Sequence, residues 1–592
     1  MQRISDYIMN EVHNVGCEHI FLVTGRGSLY LSDALARNKK IEAVCVHHEQ
    51  SASYAAMAYA QATGKMGACL VSTGCASTNA ITGVLCAWQD DIPLIVISGQ
   101  NKLQETTNYT GLPIRTYGQQ EANVIELVKS ITKYAVMLKD PQEVVYEIGK
   151  ALYLAKTGRK GPVWIDVPLD IQNMYIDPEN AKIFEPDKEK IEISDSDIKF
   201  VIDSIDLAKR PVVLIGSGIR SSGAILELEK FIEKNNIPVV YSASSTDILP
   251  SDFKLAIGCV AAMAGNRAAN FTIQNSDLVL VLGNRMSTMV TGDICKFARE
   301  AKIIAVDIDP FEHQKFKNKI DKIIVCDVKD FLIEILKKDI NKTNLDWIEK
   351  CLDWKKRYLK VENQYKGSKL VDLYELAEEL TKAMDDDAVF VTDAGLQELI
   401  LPTTIEFKKN QRCLHPASQG AMGYALPASI GAHYATKKQI VAVIGDGTMM
   451  MNIQELQTIF HNDLPIKILI INNDCYAIIR RRQKDLFRTR IIGTDKSNGV
   501  SCPDFEKVSK SFGIRYERIS SSEELRQNIK KILQIKGSVI CEIFAKEDQD
   551  YIHSSYRTNE NGKFVQPPIE DQSPFLKKEI IKSEMIIKTI DL

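Results

Sequence analysis

The sequence predicts an α/β protein made of three doubly wound parallel-sheet units, and three observations carry that expectation. The chain has 592 residues, more than one core organises at about 100–200 residues per domain. Short apolar runs alternate with helical patterns, as at 19–23, 42–47, 67–72 and 94–98, the signature of parallel strands joined by crossover helices. Several runs end in glycine or small polar residues, such as Gly216-Ser217-Gly218, Gly445-Asp446-Gly447 and Asn472-Asn473-Asp474. Strand ends of that kind form the ligand-binding edge of open α/β sheets, so each unit reads as Rossmann-like.

Composition excludes several classes. With 45% apolar residues, 26% charged residues and a net charge of −3, nothing argues for nucleic acid or a membrane surface. No apolar run nears the roughly 20 residues that span a bilayer. The N-terminus, MQRISDYIMNEVHNVG, reads as an amphipathic helix without a signal-peptide core. Thirteen cysteines include no CxxC pair, and Cys45, Cys69, Cys326 and Cys541 lie within apolar strands. They read as buried thiols of a soluble, cytoplasmic protein.

The first unit spans about 1–180, and 176–197 is a charged, Pro-containing linker. In the first unit Glu49 ends a strand and opens an Ala-rich helix; alone it reads first as an acid favoured by the helix dipole. The second unit, about 190–345, opens with a strand into Gly216-Ser217-Gly218, a dinucleotide signal or a plain glycine turn. Strands at 278–283 and 303–306 follow, then a charged helical connector at 345–370. The third unit, about 370–550, contains the most informative stretch, 440–476. There a strand (440–444) reaches Gly445-Asp446-Gly447, a helix covers 452–460, and a second strand (466–471) reaches Asn473. The βαβ topology brings Asp446 and Asn473 to one crevice, where a carboxylate and an amide oxygen suit Mg²⁺ shared with phosphates. The glycines permit close approach of a diphosphate. The extension 551–592 reads as an arm over the active-site mouth or a mobile tail.

The GDG…NN stretch resembles the metal and diphosphate motif of thiamine diphosphate enzymes. Other blocks resemble the acetolactate synthase (acetohydroxyacid synthase large subunit) group: HHEQSASYAAMAYA around Glu49, the run 72–100, RTYGQQEAN around Gln120, GPVWIDVPLDIQ, and HPASQGAMGYALPASIGA around Met422. The resemblance covers about 1–550. It implies Mg²⁺ on Asp446, Asn473 and the Cys475 carbonyl. Catalytic roles are implied for Glu49 (on the aminopyrimidine N1′), Gln120 (facing the reacting carbonyl) and Met422 (bending the cofactor). Cofactor contacts are implied for Gly25, Thr73, Asn79, Gly395, Gln397, Gly420, Gly445, Gly447 and Thr448, and for Tyr476, Ala477 and Ile478. It also implies FAD on Gly216, Gly218, Gly265, Arg267, Gly283, Arg285 and Asp307, although such a domain also occurs empty or with other nucleotides. The cofactor would lie between two chains, which implies a homodimer or homotetramer.

The implied reaction decarboxylates a 2-keto acid, most simply pyruvate, and passes the two-carbon unit on. Departures bear on its acceptor. The group's FDDR, whose arginine pairs with an acceptor carboxylate, is Met286-Ser287-Thr288-Met289 here, and a tryptophan of its acceptor pocket is Arg482. Gln119 stands for a phenylalanine and Val23-Thr24-Gly25-Arg26 for a YPGG turn. Arg480, Arg481 and Arg482 could bind phosphates or form a solvated face. The expectation is a carboligase with a different acceptor carbonyl compound, for which a nucleotide-linked keto sugar is a candidate. A true acetolactate synthase is the alternative. A simple decarboxylase is disfavoured, because Tyr476-Ala477-Ile478-Ile479 lacks the acid such enzymes carry there.

Overall fold

The computed structural model describes every residue except 187–192, 341–343, 555, 559–561 and 591–592, so part of the expected linker at 176–197 lies outside the described residues. Three six-stranded sheets form, parallel throughout. The first comprises β1 (His19–Leu22), β2 (Glu42–Cys45), β3 (Gly67–Val71), β4 (Leu94–Gln100), β5 (Tyr134–Met137) and β6 (Val163–Pro168), in the order β2-β1-β3-β4-β6-β5. The second comprises β7 (Pro211–Ile215), β8 (Val239–Tyr241), β9 (Ala256–Cys259), β10 (Leu278–Leu282), β11 (Lys302–Asp307) and β12 (Lys322–Val325), in the order β9-β8-β7-β10-β11-β12. The third comprises β13 (Val389–Thr392), β14 (Arg412–Leu414), β15 (Ile440–Gly445), β16 (Lys467–Asn472), β17 (Arg515–Ile519) and β18 (Val539–Phe544), in the order β14-β13-β15-β16-β18-β17. The first and third sheets thus share one topology, which reverses direction between their first and third strands.

Continuous apolar runs such as β3 and β4 are buried along their whole length, as sheets covered on both faces require. Edge strand β2 is covered on one side only. Cys45 is therefore exposed, against the expectation of a buried thiol, whereas Cys69, Cys326 and Cys541 are buried.

The helices that matter for the site are α1 (Glu49–Thr63), α2 (Arg267–Gln274), α3 (Leu345–Arg357), α4 (Ala425–Thr436), α5 (Ala477–Phe487) and α6 (Lys578–Glu584). Alanine-rich α1 and α4 pack backbone to backbone. A Cβ on Gly431 would stand 2.0 Å from the Ala55 carbonyl oxygen, so no larger residue fits there. Through this contact the first and third units merge into one core, which runs from Phe21 and Val71 to Val391 and Ile440. The middle unit keeps its own core.

The C-terminal segment is a strap on the middle unit. Ala264 N–H donates to Ile552 O (2.6 Å) and Ser554 N–H to Ala262 O (2.7 Å). On α2 and just beyond it, Asn270, Gln274 and Asn275 are wholly buried, and each bonds to the strap. Ile569, Ile581, Met585 and Ile587 enter the middle core, each worth roughly 1.5–3 kcal/mol of burial. Glu584 anchors the far end: its carboxylate accepts from the Arg357 guanidinium, Trp354 Nε1 (2.7 Å) and Tyr358 Oη (3.0 Å). Among the described residues, no helix is long and apolar enough to cross a membrane.

Candidate cofactor site

Asp446 directly follows β15 and is 3% exposed. Its Oδ1 accepts from Gly447 N–H at 2.7 Å and its Oδ2 from Asp474 N–H at 2.8 Å, which draws the end of β16 against it. Burial pushes the carboxyl up to about 6, against the pull of the backbone N–H groups it accepts from. The described residues contain no cluster of three His, Cys, Asp or Glu side chains that could hold a metal. A cation at this edge would instead meet one carboxylate, the Asn473 amide oxygen and backbone carbonyls. That all-oxygen set fits Mg²⁺ rather than a softer metal. The glycines here are dictated by crowding: a Cβ on Gly447 would stand 1.8 Å from the Tyr476 ring, and Gly395 has φ +135° with Gln397 folded over it.

Asp393, at the end of β13, went unassigned in the sequence reading. It is fully buried, and its Oδ1 accepts from Thr448 Oγ1 (2.8 Å) while its Oδ2 accepts from Ala425 N–H (3.0 Å). It ties the GDG turn to α4, and burial raises its carboxyl to about 7. The signal was present: Val391-Thr392-Asp393-Ala394-Gly395 is one more apolar strand ending in an acid and a glycine.

This edge opens into a cavity of about 1020 Å³ that continues to the middle sheet. Gly395, Gln397, Gly420, Met422, Gly445, Asp446, Gly447, Thr448, Asn473, Cys475, Tyr476, Ala477 and Ile478 line one end; Gly216, Gly218, Gly283, Arg285 and Asp307 line the other. Gly216 and Gly218 abut Gly283 so closely that their Cβ atoms would lie 2.3 and 2.7 Å from its backbone, which accounts for them by packing alone. Gly265 and Arg267 do not line the cavity. Arg267 is bound instead by Glu362 (2.7 Å) and by the carbonyls of Gln572 and Pro574 in the strap.

The remaining expected residues gather at the first sheet. Glu49 begins α1 and accepts from Asn79 Nδ2 at 2.9 Å. Thr73 Oγ1 donates to Gln100 Oε1 (2.8 Å) and approaches the Gln120 carbonyl (3.5 Å). Gly25 presses on Ser72, where a Cβ would stand 2.5 Å from the side chain. Gln120 is exposed, with φ +61°. Within one chain this group does not reach the cavity. Ala60 and Gln61, near the other end of α1, line it, and Glu49 lies about 18 Å away along the helix axis.

The three arginines of α5 do not act together. Arg480 is buried against Glu547, Asp548 and Asp495, and Arg481 pairs with Asp550 at 3.2 Å. The expected phosphate-binding trio is thus reduced to Arg482, because acids just beyond β18 neutralise the other two.

Three doubly wound sheets with an oxygen-rich, glycine-crowded edge opening on a long cavity define an enzyme that binds a diphosphate-bearing cofactor. Comparison with known proteins makes the class specific. Residues 2–127 match the thiamine pyrophosphate enzyme N-terminal TPP binding domain, 198–335 the central domain, and 393–543 the C-terminal TPP binding domain. The acetolactate synthase large subunit of Corynebacterium glutamicum is 31% identical over 558 residues, covering 91% of this chain and 86% of the relative. A probable acetolactate synthase large subunit of Methanocaldococcus jannaschii is 32% identical over 546 residues, 89% of each chain. That of Buchnera aphidicola subsp. Schizaphis graminum is 32% identical over 569 residues, 93% of this chain and 95% of the relative. The chain belongs to the thiamine pyrophosphate enzyme family; it is an acetolactate synthase-like enzyme that uses thiamine diphosphate to form C–C bonds.

Proposed function

We propose that the protein is a carboligase that decarboxylates a 2-keto acid, pyruvate in the simplest case, and joins the two-carbon unit to the carbonyl of an acceptor. The observation that carries this reading is the edge formed by Asp446, Asn473 and Cys475, opening beside Met422 into the cavity. Bound thiamine diphosphate supplies the nucleophilic carbon and takes up the electrons left by CO₂. In the reaction the C1–C2 bond of the keto acid breaks, a bond forms from C2 to the acceptor carbon, and the acceptor oxygen takes a proton. No net electrons move, so this chemistry does not call on a flavin.

The chain's own residues bind, orient and move protons. Asp446, Asn473 and the Cys475 carbonyl would hold Mg²⁺, and Gly445, Gly447 and Thr448 would allow close approach of the diphosphate. Met422, which lines the cavity beside this edge, would shape the bound cofactor. Glu49, its carboxylate held by Asn79, would accept and return the proton at the aminopyrimidine N1′, and Gln120 would face the reacting carbonyl. The separation of Glu49 from the cavity in one chain supports a homodimer or homotetramer in which a second copy supplies Glu49. The cavity's extension to Arg285 and Asp307 at the middle end leaves room for a nucleotide such as FAD there, which the absorption spectrum of purified protein would reveal. Boundaries at 1–180, 190–345 and 370–550, with 551–592 as an extension, fit the three sheets and the strap, and the unit composition suits a cytoplasmic enzyme.

The test is CO₂ release from pyruvate with thiamine diphosphate and Mg²⁺, with and without acceptors. The expected result is release that rises with an acceptor and falls at least a hundredfold in Glu49→Gln, within the range of a lost general acid–base. A variant that keeps wild-type release sinks the assigned mechanism. True acetolactate synthase activity is the second reading, favoured by the names of the relatives; rapid acetolactate formation from pyruvate alone would establish it. A nucleotide-linked keto sugar is retained only as one acceptor to assay, since the arginines behind it are mostly committed elsewhere.

A further inference from the structure

Part of the cavity wall next to the Asp446 edge is apolar. Ile478 and Ile479 on α5, Met422 beyond α5, and Met263 and Met289 from the middle unit all line it. Among these side chains stands one cation, Arg482. It follows Ile478 and Ile479 by four and three residues, so it lies on the same face of α5, one turn farther along.

Its neighbours in sequence are answered by acids: Arg480 by Glu547, Asp548 and Asp495, Arg481 by Asp550. At the middle-unit end three cavity arginines are answered by acids too, while Arg285 makes no ion pair among the described residues and donates to Ser418 Oγ at 2.9 Å. Arg159 meets Asp91, Asp309 and Glu312, and Arg220 and Arg412 share Asp247. Arg482 differs. Among the described residues no carboxylate lies within ion-pair distance of it, and its one hydrogen-bond contact is the Met263 sulfur at 3.7 Å. A thioether is a weak acceptor that a stronger one displaces without cost to the fold. Four acids thus answer two of the arginines, and the third faces the cavity with its charge uncompensated.

We propose that Arg482 is the anion-binding residue of the acceptor subsite, so that the acceptor is a carbonyl compound bearing a carboxylate or a phosphate. The proposal rests on the carboligase reading above and specifies its substrate class. A guanidinium recognises either anion through two parallel N–H donors, so the shared chemistry is the anionic oxygen pair. Met289, which lines the same cavity, is apolar and adds no competing donor. The carbonyl end of the ligand would then point along α5 toward Ile478 and the Asp446 edge.

The experiment compares 2-ketobutyrate, glyceraldehyde 3-phosphate and neutral propanal as acceptors at fixed donor concentration, in wild type, Arg482→Met and Arg482→Lys, with products identified by mass. The expected result is a KM about tenfold or more higher in Arg482→Met for an anionic acceptor, the size of one charge-assisted contact. Propanal should show no comparable change, and Arg482→Lys should recover part of the loss. Which anionic acceptor responds distinguishes carboxylate from phosphate. The proposal is overturned if both anionic acceptors keep KM within twofold, or if propanal or the donor shows the same rise. If wild type releases no CO₂ from any 2-keto acid, the carboligase reading fails separately. Calorimetric titration of the two anionic compounds into protein with thiamine diphosphate and Mg²⁺ then decides the matter. Tenfold weaker binding to Arg482→Met upholds the role of Arg482; equal binding, or none to wild type, overturns it.

Discussion

Replacing Glu584 by glutamine should loosen the strap in a pH-dependent way. In the wild type the Arg357 hydrogen bonds, more than the contacts to Trp354 and Tyr358, hold the Glu584 carboxyl down from 4.5 to about 2. A displacement of that size corresponds to about 3 kcal/mol. Solvent around Arg357, which is 40% exposed, screens it to about 2 kcal/mol. The folded-state value lies below the unfolded one, so the contribution is complete above about 4.5 and disappears as pH falls toward about 2. The assay is amide hydrogen exchange of residues 578–587, corrected for intrinsic rates, in both proteins from pH 7 to 3. Local opening should be about 2 kcal/mol easier in Glu584→Gln at pH 7, and the gap should shrink to less than half of that by pH 3. Equal protection at pH 7, or a difference that does not shrink with acid, would refute the electrostatic account of the anchor.

Two further outcomes concern the cofactor edge. Gly447→Ala places a methyl 1.8 Å from the Tyr476 ring. It should cost about 1–3 kcal/mol and weaken thiamine diphosphate binding at least tenfold, measurable by fluorescence titration. Asp393→Ala strands the Ala425 N–H and the Thr448 hydroxyl; it should lower stability to urea by roughly 1–3 kcal/mol per lost partner.

What the sequence made legible was local. Asp446 and Asn473 are joined by one βαβ unit, and the periodicity of that unit is enough to place both oxygens on one edge. The parallel-sheet class followed from the same alternation, repeated along the chain. Partners far along the chain were not legible. Arg480 meets Glu547 across 67 residues and Arg267 meets Pro574 across 307. No periodicity reports such a pairing, so the arginine trio and the nucleotide role of Arg267 looked more available than they are. Resemblance pointed to Gly216 and Gly218, but the pressure of Gly283 against them is visible only in three dimensions. Asp393 was missed for another reason: its role is to accept hydrogen bonds from within the protein, and nothing in a strand-end acid separates that from binding a ligand.

The core shared through α1 and α4 also sets a timetable for synthesis. The first unit is complete near residue 180, yet the Ala55 face of α1 has no partner until Gly431 and the rest of α4 have been made. At about 5–20 residues per second, the intervening stretch of roughly 250 residues takes about 13–50 s. For that interval the nascent chain presents an alanine-lined apolar groove to its surroundings. A fragment ending before α4 would never close it, so the first unit should resist expression alone even though its sheet is entire.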